Sequence, residues 1–239
     1  MIALIGLLAC TAGNKGLGDT ADNELTAPAL AEKSGTCPEV SSSGQMVTME
    51  SSGEERNVTL VFPDEESDSP ARVIFFFHGL AQVNSNPSQQ TAQALNLQSW
   101  ATANNSIIVL PESPVWSIPL AGEFHMWDVK EGESAKDVQL FDDLRTCVAE
   151  SFAVDLNQIV LAGFSGGALF NTVLLGERAE SIAAAVSFSG GADVDIAIFE
   201  ELIAPYSTPN HSVPVLLVAG GVQDIWPDPS FTLVDFVAA

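Results

Sequence analysis

The stretch IVLAGFSGGALFNTVLL, residues 159–175, decides how the chain is read. Ile159 to Ala162 form a short apolar run suited to a buried strand, and Ala168 to Leu175 suit a helix. Between them stand Gly163, Phe164, Ser165, Gly166 and Gly167. A lone G-x-S-x-G is weak evidence in a chain rich in glycine and serine, because a small-residue turn without chemistry has the same spelling. The context gives it weight. A sharp turn from strand to helix strains the backbone and brings neighbouring chain close, which glycines without Cβ tolerate at 163 and 167. It would hold the Ser165 hydroxyl outward at a helix N-terminus, where backbone N–H groups favour developing negative charge.

Outward from this turn the chain alternates strand-like and helix-like segments, the pattern of an α/β protein with a mostly parallel sheet and helices on both faces. Residues 45–50 and 57–62 read as an opening hairpin around 51–55. Continuous apolar runs follow at 72–77, 106–110, 158–162, 183–188 and 213–219, and runs without polar alternation suit strands covered on both sides. Helical stretches fall at 88–104, 135–152, 168–177 and 194–204.

Two further stretches complete a pattern. Phe75-Phe76-Phe77-His78-Gly79-Leu80 ends an apolar strand with His-Gly, upstream of the serine. This resembles the oxyanion loop of an α/β-hydrolase, which implies that the backbone N–H groups of Leu80 and Gly166 form a two-donor oxyanion hole, with His78 and Gly79 supporting the loop. Downstream, a strand ends in Gly220-Gly221-Val222-Gln223-Asp224. An aspartate there matches the place where the α/β-hydrolase fold puts the acid that orients a histidine to deprotonate the serine, and Asp193 and Asp195 compete with it for that part.

From about Val40 onward the chain resembles the esterase branch of the α/β-hydrolase fold that holds polyhydroxybutyrate depolymerases, feruloyl esterases and acetylxylan esterases. The likeness rests on the order strand, His-Gly, G-x-S-x-G, Gly-Gly-x-x-Asp, and on residues 137–165, which are similar to that group's approach to the nucleophile. It implies attack by Ser165 on an ester carbonyl, an acyl-enzyme, hydrolysis by water, and no metal or organic cofactor. The substrate class it implies is a polyester or a plant cell-wall type of ester. The chain departs from the family in one respect: the family's general base is a histidine beyond the acid, and His78, His125 and His211 all precede Asp224. With an apolar helical pattern in the last residues, the expectation is a hydrolase domain lacking its last strand, histidine loop and last helix. The alternative is a non-catalytic envelope protein that uses the scaffold for binding.

The remaining features bound the setting. Eight Lys and Arg against 31 Asp and Glu give a net charge of −23, which repels phosphate backbones and excludes nucleic acid as a natural partner. Such a surface suits high ionic strength or simply an acidic exported protein. Residues 1–10 match a signal-peptide core ending in a lipobox-like Leu-Leu-Ala-Cys10, although no Lys or Arg precedes the apolar run. Residues 11–36 then read as a flexible tether, and 37–239 as the catalytic domain. The expected protein is a monomer, secreted or anchored by lipid at Cys10 in a bacterial envelope. Cys37 and Cys147 fit either a disulfide or two buried thiols. Trp116, Phe124, Met126 and Trp127 are candidates for an apolar wall of the substrate pocket, or equally for a cap on the core.

Overall fold

The computed structural model describes residues 27–65, 67–118, 122–129, 135–190, 209 and 211–220. The expected signal segment 1–10, the helix at 194–204, the acids Asp193, Asp195 and Asp224, and the last helical pattern lie outside the described residues.

The opening hairpin pairs β1 (Met46–Ser51) with β2 (Glu54–Val61), with Ser51 opposite Glu54. The loop is therefore two residues, Ser52 and Gly53, at φ 54° and 74°. Positive φ at both positions gives a turn whose twist matches that of the strands it joins. The main sheet continues with β3 (Ala71–Phe77), β5 (Ser106–Pro111), β8 (Val154–Phe164), β9 (Ala184–Phe188) and β10 (Val215–Val218). Its order is β1-β2-β5-β3-β8-β9-β10, antiparallel at the hairpin end and parallel from β5 to β10.

The unbroken apolar spelling of β3 has a direct reason. Val73, Phe75 and Phe77 face one core, shared with Phe141 and Leu144 of α3 (Ala135–Ser151) and Phe170 and Leu174 of α4 (Gly166–Arg178). Ile74 and Phe76 face a second core with Ile108, Leu110 and Val160, closed by Leu97 and Ala101 of α2 (Leu97–Asn104). Both sheet faces are thus covered, and each fully buried side chain of this size contributes about 1.5–3 kcal/mol.

Three local differences from the sequence reading have physical causes. The single helix expected over 88–104 is two, α1 (Pro87–Ala94) and α2, because Asn96 sits at φ 51° and ψ 47°, a left-handed conformation that ends one helix and caps the next. A small second sheet forms from β4 (Ala81–Gln82), β6 (Val115–Ile118) and β7 (Gly122–His125), in the order β4-β7-β6.

The expected tether is, over residues 27–36, a strap packed along α3. Arg145 donates to the Pro28 carbonyl (2.5 Å), Thr146 Oγ1 to Ala31 O (3.1 Å), and Ser34 donates through N and Oγ to Asp143 (3.0 and 2.5 Å). Ser51 Oγ also donates to Asp143 (2.6 Å). Burial alone would push the Asp143 carboxyl up, but the donors from Ser34, Ser51 and Gln139 outweigh it and hold the group below its ordinary range. At the end of the strap Cys37 forms a disulfide with Cys147 of α3, with the Cα atoms 5.4 Å apart.

Candidate active site

β8 ends at Phe164 and α4 begins at Gly166, so Ser165 is the single residue between strand and helix. Its φ is 53° and ψ −118°, a region that a residue with a Cβ rarely enters and that costs of order 1–3 kcal/mol. The surroundings hold it there. Ser165 N donates to Phe188 O (2.9 Å), while its carbonyl accepts the N–H groups of Ala168 (2.9 Å) and Leu169 (3.2 Å), the first bonds of α4. A Cβ on Gly163 would lie 2.4 Å from Gly167 O, and one on Gly167 would lie 2.0 Å from Phe77 O. Neither position can carry a side chain, which is the physical content of the two glycines.

The loop after β3 comes up beside this turn. A Cβ built on Gly79 would stand 3.1 Å from Ser165 Cβ, and one built on Gly166 would stand 3.7 Å from the backbone N of Leu80. Leu80 N and the N-terminus of α4 therefore border the same small space next to Ser165. The first N–H groups of a helix have no partner within it, and the helix dipole adds positive potential there.

His78 is 3% exposed, and both of its ring nitrogens are engaged. Nδ1 bonds the Gly79 carbonyl (2.6 Å) and Nε2 accepts the Ser113 N–H (3.1 Å), which fixes the proton on Nδ1. Burial is the main reason its pKa falls from 6.5 to about 4; the neighbouring His125 adds to the fall, and the bond to Gly79 opposes it. A neutral, doubly bonded ring in this position clamps the loop.

The clamp extends into the small sheet. His125 Nδ1 bonds the Ser113 carbonyl (3.0 Å), and Ala81 pairs with His125 across β4 and β7. Trp127 Nε1 donates to His78 O (2.8 Å). The Asp128 N–H in turn donates to Asp137 Oδ2 (2.9 Å), whose other oxygen takes Arg56 Nη2 at 2.6 Å. Ser113 is the participant that the sequence does not single out: a serine contributing only its backbone leaves no signal in composition or spacing.

For Trp127 the structure decides between two expectations. It is 1% exposed, stacked on Phe170 with ring centroids 5.0 Å apart and edge-on to Phe77 at 5.1 Å, so its ring packs in the core, the second of the two roles expected of it. Trp116 pairs with Phe124 across β6 and β7 and is half-buried. Among the described residues none of the three histidines hydrogen-bonds to Ser165; His211 is exposed ahead of β10.

No family model and no curated protein matches the sequence. Solved structures match in fold. The crystal structure of a thermostable esterase aligns with a TM-score of 0.52 and 18% identity, over 72% of this chain and 45% of that one. Native sOPH aligns with a TM-score of 0.58 and 18% identity, over 80% and 71% of the two chains, and native pOPH with 0.55 and 20%, over 80% and 71%. The chain thus spans less than half the length of that esterase. The largely parallel sheet, the strand-serine-helix turn and these likenesses define an α/β-hydrolase fold.

Proposed function

We propose that this chain carries the nucleophile and oxyanion hole of a secreted serine carboxylic ester hydrolase. The observation that carries the reading is Ser165, held at φ 53° between β8 and α4 with Leu80 N beside Gly166. In this reading the Ser165 oxygen attacks an ester carbonyl, and the backbone N–H groups of Leu80 and Gly166 stabilise the charge that develops on the carbonyl oxygen. Collapse expels the alcohol and leaves an acyl-enzyme, which water hydrolyses. Asp224 is the acid of the triad by its place in the sequence.

None of the three histidines follows Asp224, so none of them stands where the family keeps the base that serves the serine. Stabilisation by an oxyanion hole and binding alone still leave roughly 10³–10⁴-fold acceleration over water. The reading therefore predicts slow, site-specific acylation. Incubation with a fluorophosphonate, followed by peptide mass spectrometry, should place the label on Ser165 and lose it in Ser165→Ala. Labelling spread over other serines, or none, would refute the assignment.

The substrates that suit the resemblance are polyester or plant cell-wall esters. The disulfide between Cys37 and Cys147 supports export, since such bonds persist in oxidising compartments. A lipid anchor at Cys10 and a monomeric state belong to the same reading. A second reading, a binding protein on the hydrolase scaffold, rests on one observation: among the described residues no histidine is bonded to Ser165.

A further inference from the structure

Most large apolar side chains of the described residues are buried; the exposed ones include Val215 and Leu217 on β10 and two beside the serine turn. Leu80 is 54% exposed and Phe164 49%, and these two flank Ser165. β8 is buried from Ile159 to Gly163 and becomes exposed at Phe164, the last position before the serine. A Cβ on Gly79 would lie 3.1 Å from Phe164 Cδ1 and 3.1 Å from Ser165 Cβ, so the Phe164 ring rests against the loop that presents Leu80. Single exposed apolar residues need no explanation, but two that flank a nucleophile do.

We infer that Leu80 and Phe164 form the contact surface for an apolar, uncharged substituent of the ester, and so set its preference for longer over shorter chains. The inference rests on Ser165 being the residue at which the ester binds. Leu80 then has two separate tasks: its backbone N–H faces the carbonyl oxygen while its side chain meets hydrocarbon. The net charge of −23 points the same way, because it disfavours an anionic substituent at this mouth.

The test uses Ser165→Ala, which removes the nucleophile and keeps the surface, with ethyl acetate, ethyl hexanoate and n-hexyl acetate as probes in saturation-transfer NMR titrations. At least one six-carbon ester should bind about tenfold more tightly than ethyl acetate, as four added methylenes in partial contact imply. Phe164→Ala and Leu80→Ala, each added to Ser165→Ala, should reduce that ratio severalfold. Equal binding of long and short esters, or a ratio indifferent to both substitutions, would overturn the inference. Chain-length preference without fluorophosphonate labelling of the unsubstituted protein would instead count against the hydrolase reading alone.

Discussion

The backbone N–H of Ser113, just beyond β5, donates to Nε2 of His78, just beyond β3, at 3.1 Å. This one bond ties the end of one parallel strand to the loop that carries Leu80, and it requires His78 to be neutral.

A dependence of stability on pH follows. Native His78 stays unprotonated to about pH 4, whereas in the unfolded chain it takes a proton below its ordinary value of 6.5. Between those values the unfolded state binds more protons, so stability falls as the pH is lowered from 6.5 to about 4, by roughly 3 kcal/mol from this residue. Urea unfolding across that range should show this slope, and His78→Gln should lack it. Identical slopes in the two proteins would contradict the assignment.

Trp127→Phe keeps an aromatic ring against Phe170 and removes the donor to His78 O. A buried carbonyl left without its partner costs about 1–3 kcal/mol. The variant should lose stability by that amount in urea, and fluorophosphonate labelling of Ser165 should slow as the loop loosens. Unchanged labelling would show that the indole does not position Leu80.

Gly166 and Gly167 are adjacent but should respond differently to alanine. The Cβ of Gly167→Ala would meet Phe77 O at 2.0 Å, so β3 and α4 must part, and the expected loss exceeds about 3 kcal/mol. The Cβ of Gly166→Ala has ordinary contact at 3.7 Å, but with Leu80 N. That variant should unfold at nearly the same urea concentration and label more slowly. A folded Gly167→Ala of normal stability would contradict the tight crossing.

The bond between Cys37 and Cys147 closes a sequence separation of 110 residues and pins the strap to α3. Reduction should cost about 2–4 kcal/mol. It should also raise hydrogen exchange at Thr36, whose N–H donates to Glu50 O (3.1 Å). A thermal midpoint indifferent to reductant would count against the bond.

The parallel strands are legible in the sequence because burial on both faces writes unbroken apolar runs, as in β3 and β8. The serine turn is legible because a close crossing at Gly163 and Gly167 excludes side chains. What stays hidden depends on pairing across distance. The small sheet brings together Ala81, Val115 and His125, and strands of two to four residues are too short to show a period. The same limit explains Trp127: an aromatic in a loop is spelled alike whether it faces solvent or core, and only the indole bond to His78 O settles its direction. The strap over residues 27–36 has the polar composition of a tether, while its bonds go to side chains of α3 more than 100 positions away. The break in the expected helix over 88–104 has a weak signal, since asparagine tolerates the left-handed conformation seen at Asn96.

In the proposed reading Ser165 is a nucleophile beside an oxyanion hole, and among the described residues no histidine is bonded to it. The most direct test is p-nitrophenyl acetate hydrolysis by the 239-residue protein with and without added imidazole, which can stand in for the base. The account predicts a slow rate that rises with imidazole beyond the solution reaction, and disappears in Ser165→Ala. A rate equal to that of Ser165→Ala at every imidazole concentration would contradict it.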